Sequence, residues 1–265
     1  MTASSSFDFL AHNQAAWDQL AAQDCEWSRP VTAETIAAAR AGQWSVRLTP
    51  GPLPQGWLDQ PQGLRILCLA SAGGQQAPVL AAAGAHVTVF DASEKQLDQD
   101  RRVAARDGLA LQAVQGDMRD LSAFDDASFD VVFHPISNLY VPDVRPVWRE
   151  CHRVLRRGGR LLSSFYNPIV FVGDRDPAYA KQGVIRPAYA LPYADTRDLD
   201  SAALDAKLAR GEAVVFGHSL ADQIGGQLAA GFLLAGFHED HQPNPRFLID
   251  RYVPTFLATY AVKPG

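Results

Sequence analysis

The chain has 265 residues, 47% hydrophobic and 20% charged, a balance that lets a globular protein bury one large core or two small ones. A formal net charge of -5 with no stripe of Lys or Arg argues against a nucleic-acid partner, and no apolar window nears the roughly 20 residues that span a bilayer. Cys25, Cys68 and Cys151 form no CxxC pair, so no disulfide framework or zinc ribbon is expected; with a polar start, Met1 to Asp8, unlike a signal peptide, the expected compartment is the cytoplasm.

Ala33 to Ala41 is rich in helix formers and stops at Gly42, and Pro50, Pro52 and Pro54 then break any regular element before Trp57. Gly63 to Ala70 is a short apolar run bounded by turn residues, which predicts a buried strand. Small residues, Ser71 to Gly74, lead into a helix from about Gln76 to Ala83 that ends at Gly84. A second strand runs from His86 to Phe90 and ends at Asp91; Ser93 and Gln96 form a capping box for a helix reaching Arg106, with Gly108 past its end. Leu109 to Gln115 and Phe129 to Phe133 supply the third and fourth strands. Val147, Cys151, Val154 and Leu155 mark the apolar face of a helix closed by Gly158 and Gly159, and its basic end, Arg153, Arg156, Arg157 and Arg160, complements the helix dipole. Arg160 to Tyr166 is a fifth strand.

Strands alternating with helices mean a parallel sheet covered on both faces. The rhythm breaks over 167–211, a proline-interrupted stretch with no clear βα unit. It resumes with a helix starting at Ser219 and Asp222, its apolar face Leu220, Ile224 and Leu228, and its stop near Gly231. Phe232 to Glu239 and Val253 to Val262 read as two final strands joined by a helix-free loop, HQPNPRF, so the sheet should close with an antiparallel hairpin.

In such a sheet ligands bind beyond the carboxyl ends of the strands. Three of those ends carry suitable residues. After the first strand, Ala70, Ser71, Ala72 and Gly73 are small enough for backbone to approach a ligand, although the run is not the GxGxxG dinucleotide fingerprint. Asp91, about 20 residues on, can accept hydrogen bonds from both ribose hydroxyls, or can serve as a simple turn aspartate. After the third strand, Gly116, Asp117 and Met118 offer a carboxylate for an adenine amino group and a polarizable face for its ring. With no GK[ST] and no basic residue in the first loop, adenosine bearing an amino acid fits better than a nucleotide.

The runs RILCLASAGGQQ, GAHVTVFDAS, QGDMRDLSAFDDASFDVVF and WRECHRVLRRGGRL, followed by HSLADQIGGQLAAGF, together resemble the class I S-adenosyl-L-methionine (SAM)-dependent methyltransferases. The resemblance is to the bacterial small-molecule group similar to the ubiquinone and menaquinone biosynthesis enzymes, strongly over 62–166 and moderately over 214–262. It implies a single Rossmann-like α/β domain of seven strands: a helical N-terminal lid (1–60), a SAM-binding core (61–166), a substrate-side insertion after strand five (167–211) and the remaining sheet (212–265). By the same resemblance the first loop holds the methionine moiety, Asp91 the ribose, Asp117 with Met118 the adenine, and His134 with Pro135 lies beneath the cofactor near the transferred methyl. Gln76, Ala92, Gln96 and Gly116 complete the expected cofactor contacts. Where many members have an acidic residue and three glycines, this chain has Cys68, Ala70, Ala72 and Gly74, so the carboxylate expected near the methionine ammonium is missing. The expected activity is methyl transfer from SAM to a small-molecule acceptor, leaving S-adenosyl-L-homocysteine. The alternative is a protein that binds SAM or its product without transferring the methyl.

Other constellations carry less. Ser71 lacks the first glycine of a GxSxG elbow, and His238 and His241 do not have HExxH spacing, so no metal is expected. His134 is the one candidate base, or else only lines the pocket; His152 reads as a surface residue. Acceptor contacts are expected from Tyr140, Tyr166, Asn167 and Tyr193 around the insertion, and from Trp44 in an N-terminal wall that also contains Trp17, Arg47 and Trp57.

Overall fold

A computed structural model describes residues 7–23 and 25–265; the first six residues of the expected lid, and Asp24, lie outside the described residues. The apolar run after Gly63 forms β1 (Arg65–Leu69), buried along all but its first residue. It is followed by α3 (Gln76–Ala82), β2 (His86–Asp91), α4 (Glu94–Asp107), β3 (Leu111–Gln115), β4 (Phe129–His134), α5 (Arg145–Val154) and β5 (Leu155–Tyr166). Two helices precede them, α1 (Phe9–Ala22) and α2 (Ala33–Arg40), capped by Asp8 and Thr32, whose side chains accept the backbone N–H of Ala11 and Thr35. Gly108 ends α4 with a φ of 60°.

The sheet runs β3-β2-β1-β4-β5-β9-β8, with β8 (Leu233–Asp240) and β9 (Phe256–Val262) as the expected closing hairpin. β1 to β5 are parallel, and β9 is antiparallel to both β5 and β8. β8 therefore points the same way as β1–β5, and its last residue, Asp240, pairs with Phe256 at the level where Phe256 also pairs with Tyr166. One face is covered by α2, α3 and α4, which bury Ile36, Leu80, Leu97 and Val103 against Ile66, Val87 and Phe133. The other packs α5, through Val147, Trp148 and Cys151, onto Leu67, Val132 and Leu161.

Four details depart from the sequence reading. β5 begins at Leu155, ahead of the glycines expected to close the helix, because the chain leaves α5 extended and pairs Leu155 with Phe129 across a register shift. A 3-10 turn, Leu248–Arg251, delays the last strand to Phe256. The capping box at α4 is half made: Ser93 accepts the Gln96 N–H at 3.2 Å, but the Gln96 side chain reaches back to the first loop instead. The helix after Ser219 is a π-turn, Ala221–Gly225, running into α9 (Gly226–Ala229). That turn rotates Leu220 and Leu228 out to solvent and buries Gln223, Gly226 and Gln227. Gly226 is held there by space, since a Cβ would press on the Trp148 ring, while Gln223 and Gln227 are bonded to Asn138 and Thr259.

The insertion contains α6 (Pro177–Lys181), β6 (Tyr193–Ala194), α7 (Asp195–Asp198) and α8 (Ser201–Ala209). β6 pairs with β7 (Phe216–Gly217) in a separate two-stranded sheet that the sequence pattern did not suggest.

Candidate functional site

The carboxyl ends of the strands open on a cavity of about 900 Å³. This is near the top of the roughly 300–1,000 Å³ range of small-molecule sites, enough for two ligands side by side. Its floor is made by the residues after β1, β2, β3 and β4: Ala70, Ser71 and Ala72; Asp91 and Ala92; Gly116, Asp117 and Met118; and Pro135. Gln76 and Gln96 also reach it.

The first loop is tightly held. Ala70 and Ala72 have φ of 46° and 70°, left-handed backbone that glycine adopts without strain. The Gly73 N–H donates to Gln96 Oε1 at 2.7 Å and the Gly74 N–H to Asp100 Oδ1 at 2.8 Å. Asp100 is buried in α4, and desolvation holds its carboxyl well above the usual carboxylate range. The Asp100 side chain thus supports this loop from α4, whereas the strand itself carries only Cys68, whose thiol burial also pushes upward. Gly73 faces Gln96 and is not part of the cavity wall. Ser71 lines the cavity with its hydroxyl buried against the Cys68 thiol, and among the described residues no oxygen or nitrogen partners that hydroxyl.

Asp91 Oδ1 accepts the Ser93 N–H at 2.8 Å, which leaves Oδ2 open to the cavity. Desolvation, with the nearby charge of Asp18, pushes its pKa up to about 7 against the backbone bonds from Ser93 and Ala92. Asp117 is clamped by Arg119, whose Nε donates at 2.8 Å, and the Arg119 guanidinium lies over the Phe9 ring. Asp18 accepts from the Ser93 hydroxyl at 2.6 Å. Helix α1 is therefore fastened beside both cavity carboxylates, and it presents Leu10, Asn13, Gln14 and Trp17 to the cavity. No side chain fits at Gly116, where a Cβ would run into the Phe90 ring.

The expected acceptor residues separate into two groups. Tyr140 and Tyr166 line the cavity, as do Trp17 and Arg47. Trp44 and Trp57 pack instead into the core over the sheet. Asn167 caps the turn that follows it, accepting from the Ile169 N–H, and donates to the Pro254 carbonyl. Tyr193 is buried, with its hydroxyl donating to Asp195 at 2.6 Å. Residues 167–211 contribute nothing to the cavity wall; Val170, Phe171, Tyr189 and Tyr193 pack behind Tyr140 and Tyr166. His134 is likewise displaced from its expected place. It is fully buried, with Nδ1 on the Leu69 carbonyl at 2.9 Å and the ring edge-on to Trp148, and desolvation lowers its pKa to about 4. Only its neighbour Pro135 meets the cavity.

Much of the remaining wall went unpredicted, including Glu26 and Trp27, Leu48 to Pro50, Ile136, Ser137 and Leu139, Phe256, and Gln242 to Arg246 of the β8–β9 loop. The rule that pointed to the tips of β1–β3 applies to β8 as well, since β8 ends on the same edge of the sheet.

A model of the family described as "Methyltransferase domain" matches residues 67–163. The chain is 49% identical over 255 residues to "Uncharacterized methyltransferase YbaJ" of Bacillus subtilis (strain 168), covering 96% of this chain and 98% of that one. A shorter match, 42% over 100 residues, covers 38% of this chain and 40% of the demethylmenaquinone methyltransferase of Clavibacter sepedonicus. Among solved structures, an S-adenosylmethionine-dependent methyltransferase from Mesorhizobium loti superposes with a TM-score of 0.60 at 22% identity, over 78% of this chain and 94% of that one.

Proposed function

The chain belongs to the class I SAM-dependent methyltransferases, and from that premise we propose that it carries the SAM methyl group to a small-molecule acceptor held in the same cavity. The observation that carries the reading is the convergence of Ser71, Asp91 and Asp117 on one cavity from the tips of three adjacent strands. SAM, when bound, supplies a methyl group already activated on sulfonium, so the protein's work is to bind, orient and exclude water.

The open Oδ2 of Asp91 suits the ribose hydroxyls, and Asp117 with Met118 suits the adenine edge and face. The small residues Ala70, Ser71 and Ala72, with their backbone, suit the amino-acid end. Arg47 was expected only as part of a wall, but it stands beside Gln76, which accepts its backbone N–H at 2.9 Å. Among the described residues its guanidinium has no hydrogen bond or ion pair, so it suits the methionine carboxylate. Acceptor binding falls to the opposite end, around Tyr140, Tyr166, Phe256 and Arg246. No general base is assigned: His134 is neutral and behind the cavity wall.

The alternative, a SAM-binding protein without transfer, draws on the strained alanines where the family favours glycine. Calorimetry with SAM and S-adenosyl-L-homocysteine, followed by a screen of small acceptors with methyl-labelled SAM, separates the two. Label in a product supports the transferase; tight binding with no transfer to any acceptor favours the binder; no binding of either compound overturns both.

A further inference from the structure

We propose that the acceptor is a small aromatic carboxylate, held by the Arg246 guanidinium with the Tyr140 and Tyr166 hydroxyls; this rests on the methyltransferase reading of the cavity. Three observations lead there.

The first is the inventory of free donors. Tyr140 and Tyr166 are both half-buried in the cavity wall, and among the described residues neither hydroxyl has a hydrogen-bond partner. Burial pushes both phenols up, while the positive charge of Arg246 opposes that shift in each, so the guanidinium's field reaches both hydroxyls. Protonated phenols are donors. Two donors and a guanidinium lining one cavity match the several lone pairs of a carboxylate and leave a neutral or cationic group unsatisfied.

The second is how Arg246 is presented. The buried carboxylate of Asp250 accepts the backbone N–H groups of Arg246 and Phe247 at 2.8 and 2.9 Å and is itself bonded by the Thr255 hydroxyl. The loop is thereby fixed, but the guanidinium is not. Among the described residues its one ion pair is a 3.5 Å contact to Glu26, another residue of the cavity wall, with both side chains more than half exposed. A pair of that kind is weak enough for an incoming anion to displace. Of the other carboxylates of the cavity, Asp117 is held by Arg119, and Asp91 has one oxygen on the Ser93 N–H and the other toward the end assigned to the ribose.

The third is the wall between these donors. Tyr140 meets Trp17 edge-on at 5.4 Å between ring centres, and Tyr166 lies against Phe256 at 5.1 Å. Trp27 stands at the exposed rim. Such walls favour a flat ring.

The test loads the protein with S-adenosyl-L-homocysteine, whose binding is measured first by calorimetry, and then titrates 4-hydroxybenzoate, 4-hydroxybenzamide and tyramine as matched probes. The expected result is binding of the acid at least ten-fold tighter than of the amide, with tyramine weakest. Arg246→Gln should abolish the preference, Arg246→Lys should keep part of it, and Tyr140→Phe and Tyr166→Phe should each weaken the acid about three- to ten-fold, all with product affinity within two-fold of the parent. Failure to bind S-adenosyl-L-homocysteine overturns the methyltransferase reading and this proposal together. Product binding without a preference for the acid, or a preference that survives Arg246→Gln, overturns this proposal alone.

Discussion

The two ends of the cavity are built by different means. The end assigned to adenosine comes from residues 70–118, where the contributing side chains stand at the tips of parallel strands of one sheet or at the starts of the helices that follow them. The end assigned to the acceptor is gathered from four distant parts of the chain: α1 with residues 26–50, the segment 135–141, the end of β5, and the β8–β9 loop with the start of β9. The first end is fixed by topology, since a parallel strand that is buried has its tip on the ligand edge whatever surrounds it. The second is fixed by packing between segments that no local pattern relates. An enzyme built this way can change its acceptor without disturbing its cofactor.

If the adenosine end has the role proposed, its loss is the largest single effect. Asp91→Ala removes the acceptor for the ribose hydroxyls and should weaken SAM binding by about 1–3 kcal/mol. Calorimetry decides it, and an unchanged Kd would break the division between the two ends. Asp91 also gives that end a pH dependence. Its pKa of about 7 in the free protein means that the carboxylate becomes protonated as the pH falls through neutrality. Ribose hydroxyls donate to the ionised form, so SAM binding should weaken on the acid side, with Kd rising about ten-fold between pH 8 and pH 6. Asp91→Asn should flatten that profile, and a wild-type Kd independent of pH would remove the assignment.

The same division explains what could be read from the sequence. Asp91, Gly116 and Asp117 were legible because each stands at or just past the end of a strand in an alternating series of strands and helices. The insertion 167–211 follows a strand tip too, yet its apolar residues turn away from the cavity to form their own small core with Leu139, and Ile136, Tyr140 and Tyr166 back onto it. Position along the chain put it on the right edge; its buried aromatic rings decided which way it faced. The HQPNPRF loop was passed over because a helix-free connection between two strands reads as a plain hairpin, and only the direction of β8 reveals that it lies over the ligand edge. His134 was misplaced for a local reason. Side chains alternate along β4, and its ring falls on the face that packs against Trp148.

Tyr193 tests the boundary of the acceptor end. Tyr193→Phe removes the hydrogen bond to Asp195, which keeps Lys207 Nζ at 2.6 Å and the Val215 N–H at 2.7 Å. Stability should fall by about 1 kcal/mol, read from a denaturant midpoint, with SAM affinity and acceptor KM within two-fold of the parent. A large change in KM with stability intact would return Tyr193 to the cavity wall.

The smallest expected effect bears on the first loop, whose left-handed alanines stand out in the site. Ala72 sits at a φ of 70°, and an L-residue in left-handed backbone carries a cost of roughly 1–2 kcal/mol that glycine escapes. Glycine in turn frees the unfolded chain and gives back about 0.5–1 kcal/mol. The difference favours Ala72→Gly, which should raise stability by about 0.5–1 kcal/mol and Tm by about 1–4 °C in a chain of this size. The reverse change two residues on should do the opposite. Gly74 shares the left-handed conformation, with a φ of 72°, and a Cβ there would stand 3.1 Å from Pro30. Gly74→Ala therefore meets both the strain and the neighbour and should lower Tm. SAM affinity separates a stability effect from a binding one: Ala72→Gly should leave it within two-fold, because the loop's shape is set from behind by Gln96 and Asp100 rather than by the alanine methyl. A fall in Tm on Ala72→Gly would mean that the methyl contributes packing that outweighs its strain, and the loop would then be adapted to alanine.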